Sequence, residues 1–136
     1  MAKLIALDIG GKRTGIAETD TLQMVASPLE TVETAKLSDH LLQMFRNEPF
    51  EGIVIGDPKN LDGGDSDNSE LVRQWVQKLS TSFREVFIAL EDERFSSKMA
   101  VGLMVQGGMK KKQRRQKGEV DKISAAVILQ SYLNRR

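Results

Sequence analysis

This sequence predicts an α/β fold on one mixed five-stranded sheet: an antiparallel three-stranded meander plus two parallel strands, with helices on the sheet faces. Three observations carry that reading. The first third alternates apolar and polar residues in runs broken by short turns, as in Lys3–Ile9 and Thr14–Thr19. "GIVIG" at Gly52–Gly56 and "VFIAL" at Val86–Leu90 are short, continuous apolar runs of the kind buried on both sheet faces. Stretches with apolar residues at helical spacing stand between and after them, so helix and strand alternate.

The elements follow in order. Lys3–Ile9 is a strand, Gly10–Arg13 a turn and Thr14–Thr19 the returning strand. Asp20-Thr21 turns again into a third strand, Gln23–Val32. Ala35–Glu48 reads as a helix through Leu37, Leu41, Leu42 and Phe45. After the "GIVIG" strand, Asp57–Ser69 is a polar loop of Gly, Asp, Asn and Ser. It leads into a helix with a buried stripe of Leu71, Val72, Trp75, Val76 and Leu79. After "VFIAL", Ser96 or Ser97 caps a further helix to about Val105, stopped by Gly107-Gly108. Glu119–Leu133 is the last helix. Right-handed crossovers place "GIVIG" beside the first strand and "VFIAL" beyond it. With 136 residues and no internal repeat, one domain over 1–136 is expected.

Composition narrows the chemistry. The chain has no cysteine, which excludes disulfides, thiolate zinc sites and cysteine nucleophiles. No apolar run approaches the roughly 20 residues of a membrane span, so no membrane partner is expected. The opening "MAKLIALDIG" alternates like a strand and carries no signal-peptide cleavage site, so a cytoplasmic location is expected. His40, the one histidine, sits mid-helix beside Leu41 and Leu42, as a boundary residue rather than a base. The net charge of +1 hides an asymmetry. Lys110, Lys111, Lys112, Arg114, Arg115 and Lys117 stand in nine residues; without them, fourteen basic residues face nineteen acidic ones. Such a run is either a solvated loop or the grip for a polyanion.

Carboxylates collect where the parallel strands end. The first strand ends in Asp8, "GIVIG" leads to Asp57, and "VFIAL" leads to Glu91, Asp92 and Glu93. Open α/β sheets place their sites at this edge. Asp121 on the last helix shares a face with Ala125, Ile128 and Tyr132, and a charge turned to a core is costly unless paired or ligating. Each acid also has an ordinary explanation: a turn for Asp8, a helix N-terminus for Asp121, a salt bridge for Glu93. Their convergence favours a hard divalent ion, Mg²⁺ or Mn²⁺, which oxygen donors suit. The glycines of "DIGGKRTG" also resemble the phosphate loop of actin-like and sugar-kinase ATPases, but those folds need a second lobe.

Four segments together resemble the YqgF family, also called RuvX, of ribonuclease H-like fold. They are "LDIGGKRTGIAETD" at Leu7–Asp20, "GDPKNLDG" at Gly56–Gly63, "EDERFSSKMA" at Glu91–Ala100 and "VDKISAAVILQSYL" at Val120–Leu133. The resemblance implies a metal-dependent nuclease that matures the 5′ end of the precursor of 16S ribosomal RNA. It also implies Asp8, Glu93 and Asp121 as catalytic and metal-holding acids, with Asp92 and Arg94 in support. Arg13 and Arg94, with the six basic residues of the run, are expected to contact nucleic acid. The sequence departs from the family at Asp57, where an apolar or aromatic residue is usual. Asp57 is read as a solvated substitution, with an additional ligand as the alternative. Two rival functions stay open: a Holliday junction resolvase acting on branched DNA, and a non-catalytic RNA-binding factor of ribosome assembly. The partners are then pre-rRNA, ribosomal precursor particles or branched DNA, with a monomer and a homodimer both open.

Overall fold

Alternation along Lys3–Ile9 splits its side chains between two apolar layers, and that split organises the whole computed structural model, which describes residues 2–58, 68–92 and 117–136, with side chains described from Val120 onward in the last segment. Strand β1 (Lys3–Ile9) pairs antiparallel with β2 (Arg13–Thr19), and β2 pairs antiparallel with β3 (Ala26–Glu33). A single 3₁₀ turn, Thr34–Lys36, leads into α1 (Leu37–Asn47). Strand β4 (Phe50–Asp57) joins the other side of β1 in parallel, and β5 (Phe87–Asp92) joins β4 in parallel after α2 (Ser69–Ser82). The order is β3-β2-β1-β4-β5, the meander and crossovers that the sequence predicts. Helix α3 (Lys117–Arg135) follows. The helix expected from Ser96 or Ser97 to about Val105 lies outside the described residues.

Each face has its own core. On one, Ile5, Leu7, Ile9, Ile16, Ile53 and Ile55 meet Leu37 and Leu41 of α1 and Val72, Trp75 and Leu79 of α2. Full burial of each such side chain contributes about 1.5–3 kcal/mol. On the other, Leu4, Ala6, Ala17 and Val54 meet Ala125, Ile128 and Leu129 of α3. Small residues mark where the helix comes close: Ala6 and Ala17 join Leu4 and Val54 on this face, and Gly15 meets the backbone of α3 directly. Asp121, one turn before Ala125, meets β2 through its backbone at Gly15 and its carboxylate at Arg13.

Most element boundaries shift by one or two residues from expectation, and three of the shifts have a clear cause or consequence. Strand β3 starts at Ala26 rather than Gln23, because residues 20–25 form a built turn. The Asp20 carboxylate accepts from the N–H groups of Met24 (2.8 Å) and Val25 (2.9 Å), and Gln23 adopts φ 55°. Helix α1 stops at Asn47, with Glu48 extended before Pro49, the conformation a following proline favours. Strand β5 runs on through Glu91 and Asp92, two residues past the expected end, in register with Gly56 and Asp57 of β4.

Candidate active site

The acids at the strand ends do not share one face. Leu4 and Ala6 face α3, so Asp8, two residues on, faces α3 as well. Its cross-strand partner is Gly15. A Cβ on Gly15 would lie 2.0 Å from the backbone oxygen of Asp121 and 2.2 Å from its carbonyl carbon. Asp121's own backbone is thus seated directly on the residue opposite Asp8, since directly opposite residues on paired strands lie about 5 Å apart. Residues 113 positions apart in the chain therefore present carboxylates at one end of the α3 face. Arg13 closes the group: its Nε donates to Asp121 Oδ2 at 3.4 Å, with both side chains part-exposed.

The turn between Asp8 and Arg13 is pinned from below. Gly10 N–H donates to Arg13 O (2.9 Å), and the Thr34 hydroxyl donates to Gly10 O (2.6 Å). Thr34 N–H donates to Lys12 O (2.9 Å), and the buried hydroxyls of Thr14 and Thr34 are 2.9 Å apart. Gly10 and Thr34 therefore give the loop a single shape. The Gly10 N–H, spent on that turn, is not available to a phosphate.

Glu91 belongs elsewhere. It is in register with Gly56, faces α3, and is 6% exposed. Arg135 donates to Glu91 Oε1 through Nε (2.8 Å) and Nη2 (2.6 Å), and the Ser131 hydroxyl donates to Oε2 (2.7 Å). Ser131 stands ten residues after Asp121, about 15 Å farther along the helix at 1.5 Å per residue. Glu91 is thus a strand-to-helix clamp, not part of the Asp8–Asp121 group. Since Glu91 faces α3, the pleat turns Asp92 to the opposite face. Asp57, one residue past Gly56, turns the same way. Asp57, the alternative additional ligand, and Asp92, the acid expected in support, form a register pair on the α1/α2 side, separated from Asp8 and Asp121 by the sheet.

Glu93, Arg94, Lys110, Lys111, Lys112, Arg114 and Arg115 lie outside the described residues, and Lys117 is the first residue of α3. Among the described residues no group of three or more His, Cys, Asp or Glu could hold a metal ion. Asp8 and Asp121 offer two donors of the hard oxygen type that Mg²⁺ and Mn²⁺ take, and the donor chemistry fits such an ion once a third acid joins them. His40 Nε2 faces the Glu30 carboxylate, a β3–α1 contact. A cleft of ≈ 560 Å³ lined by Phe45, Pro49, Phe50, Phe83 and Val86 lies where β4 and β5 begin, at the edge opposite the acids. Sequence reasoning missed Gly15, Thr34 and the Glu91–Arg135 clamp. The signal for Gly15 was an isolated glycine inside a strand, which marks close backbone approach.

Comparison with known proteins agrees with this architecture. The profile of the family described as RuvX, Holliday junction resolvase, matches residues 2–135. The chain belongs to the RuvX family. A RuvX relative from Christiangramia forsetii, described as a candidate pre-16S rRNA nuclease, is 46% identical over 133 residues, covering 98% of both chains. Another of that description, from Flavobacterium psychrophilum, is 42% identical over 136 residues, covering 100% of this chain and 99% of its own. Among solved structures, RuvC of T. thermophilus in complex with a Holliday junction substrate superposes with TM-score 0.59 at 19% identity, covering 99% of this chain and 96% of its own. The Fowlpox virus resolvase in complex with Holliday junction DNA gives TM-score 0.59 at 11% identity, covering 98% and 97%. At those identities the likeness concerns the fold, which is the ribonuclease H-like fold of these resolvases. No helix among the described residues is long and apolar enough to cross a membrane.

Proposed function

We propose that this chain is a divalent-metal-dependent nuclease that hydrolyses phosphodiester bonds at the 5′ end of pre-16S ribosomal RNA, working in the cytoplasm as one domain of residues 1–136. The observation that carries the reading is the seating of Asp121 on Gly15, opposite Asp8, which brings two acids from distant parts of the chain to one strand end. Two carboxylates held together need a cation to offset their repulsion. Arg13 supplies part of that charge.

In this reading Asp8, Glu93 and Asp121 hold Mg²⁺ or Mn²⁺, with Glu93 coming from the segment that follows β5. The bound ion supplies a nucleophilic water and charge stabilisation at the phosphate. The chain's own residues do the rest. Asp8 is fixed by the β1–β2 ladder, Asp121 by α3, and Arg13 orients the Asp121 carboxylate. Lys110, Lys111, Lys112, Arg114, Arg115, Lys117 and Arg94 grip the backbone of the RNA, as point charges and forks suited to phosphate.

The choice of RNA is supported by the description of the relatives that match nearly the whole chain at 42–46% identity. A DNA junction as substrate is favoured by the description of the family itself. The purified chain should be offered 5′-extended 16S precursor RNA and a four-way DNA junction, each with Mg²⁺ and with Mn²⁺. Cleavage of the RNA, lost in Asp8→Asn, is the expected result. Symmetric cutting of the junction with intact RNA would replace this reading by a resolvase. Tight RNA binding without cleavage under any metal would replace it by an assembly factor.

A further inference from the structure

We infer that Arg13 and Gly15, two residues of one strand, form the seat that sets the position and direction of the Asp121 carboxylate. The inference deepens the metal-site reading above and rests on it. Gly15 governs position. A methyl group there would meet the backbone O of Asp121 at 2.0 Å, its C at 2.2 Å and the N of Lys122 at 2.7 Å. These are backbone atoms of a helix, which cannot swing aside as a flexible side chain would. Even alanine must therefore push the first turns of α3 away from β2 by an ångström or more. Displacement on that scale at a reacting centre costs about 100-fold in rate. Asp8, on the neighbouring strand, does not move with the helix, so the spacing between the two carboxylates opens.

Arg13 governs direction. Its Nε reaches Asp121 Oδ2 at 3.4 Å from two residues before Gly15, on the same strand and the same face. A guanidinium is a fixed planar donor, so it orients a carboxylate as well as neutralising it. The structure thus gives Arg13 a contact within the protein, where the motif alone suggested a contact to nucleic acid. Strand β2 supplies no acid to the site, yet through these two residues it controls one.

The test uses the full-length chain, Mn²⁺ itself as probe, and Asp8→Asn as reference. In Gly15→Ala, Mn²⁺ affinity measured by electron paramagnetic resonance should fall at least tenfold. Its cleavage rate should fall about 100-fold. The loss should be non-additive, because Gly15→Ala should weaken Mn²⁺ binding no further in an Asp121→Asn background. In Arg13→Gln, kcat should fall several-fold while KM and the salt dependence of RNA binding stay unchanged. Folded Gly15→Ala with wild-type Mn²⁺ affinity and rate would overturn the proposal. So would Arg13→Gln that raises KM and flattens the salt dependence at unchanged kcat. Should Gly15→Ala not fold, the kinetics of Arg13→Gln decide the proposal. Failure of the metal-site reading looks different: wild-type protein that binds no Mn²⁺, or Asp8→Asn that binds and cleaves normally.

Discussion

Arg135 donates two hydrogen bonds, of 2.6 and 2.8 Å, to a single oxygen of the buried Glu91 carboxylate. The first acid of "EDERFSS" is thereby neutralised within the fold, and the C-terminal turn of α3 is fastened to β5. Arg135→Ala leaves a buried carboxylate with the Ser131 hydroxyl as its described partner. It should lower Tm by about 3–8 °C. Glu91→Gln keeps an acceptor for Arg135 and should cost less. Thermal unfolding by circular dichroism checks the ranking; equal or reversed effects would count against a clamp.

Asp20 carries the β2–β3 turn. Backbone hydrogen bonds from Val25 and Met24 hold its carboxyl below the usual 3.8. A depressed acid contributes stability that is fully present above 3.8 and lost as pH falls through its lower, folded value. The turn should therefore hold at pH 5 and loosen only on acidification below about pH 3.8. Amide exchange at Met24 and Val25 reports this directly. Asp20→Ala should show the loosened turn already at neutral pH.

The basic run makes a separate prediction. Neutralising Lys110, Lys111, Lys112, Arg114, Arg115 and Lys117 should weaken binding to RNA and DNA alike. For every phosphate no longer neutralised, the slope of log K against log salt should fall by about 0.7–0.9. An unchanged slope would make the run a solvated loop.

How far the sequence revealed this molecule depends on the question asked. Strand order and crossovers were legible, because short apolar runs such as Leu4–Leu7 and Gly52–Gly56, broken by turns and helical stretches, are set by local pattern. The core stripe of α2, Val72, Trp75 and Leu79, was legible for the same reason. The distribution of acids was not. Ending β5 at Leu90 makes Glu91 and Asp92 look like neighbours on an open rim. Two further paired residues turn them to opposite faces. A pleat has period two, so extending the strand by those two residues fixes Glu91 on one face and Asp92 on the other. Seating Asp121 on Gly15 is a contact between backbones, and no hydrophobic pattern encodes it.

The central claim is that Asp8 and Asp121 act together at one metal site. Asp8→Asn removes a like charge from that group and should not lower Tm. Asp121→Asn removes a like charge but also the ion pair with Arg13, so its Tm should change little. The most direct measurement is the single-turnover cleavage rate of 5′-extended 16S precursor RNA with saturating Mn²⁺, for wild type and for each variant, beside their Mn²⁺ affinities. Both variants should stay folded, bind Mn²⁺ more weakly, and cleave at least about 1,000-fold more slowly. A folded Asp8→Asn that cleaves at the wild-type rate would contradict the account.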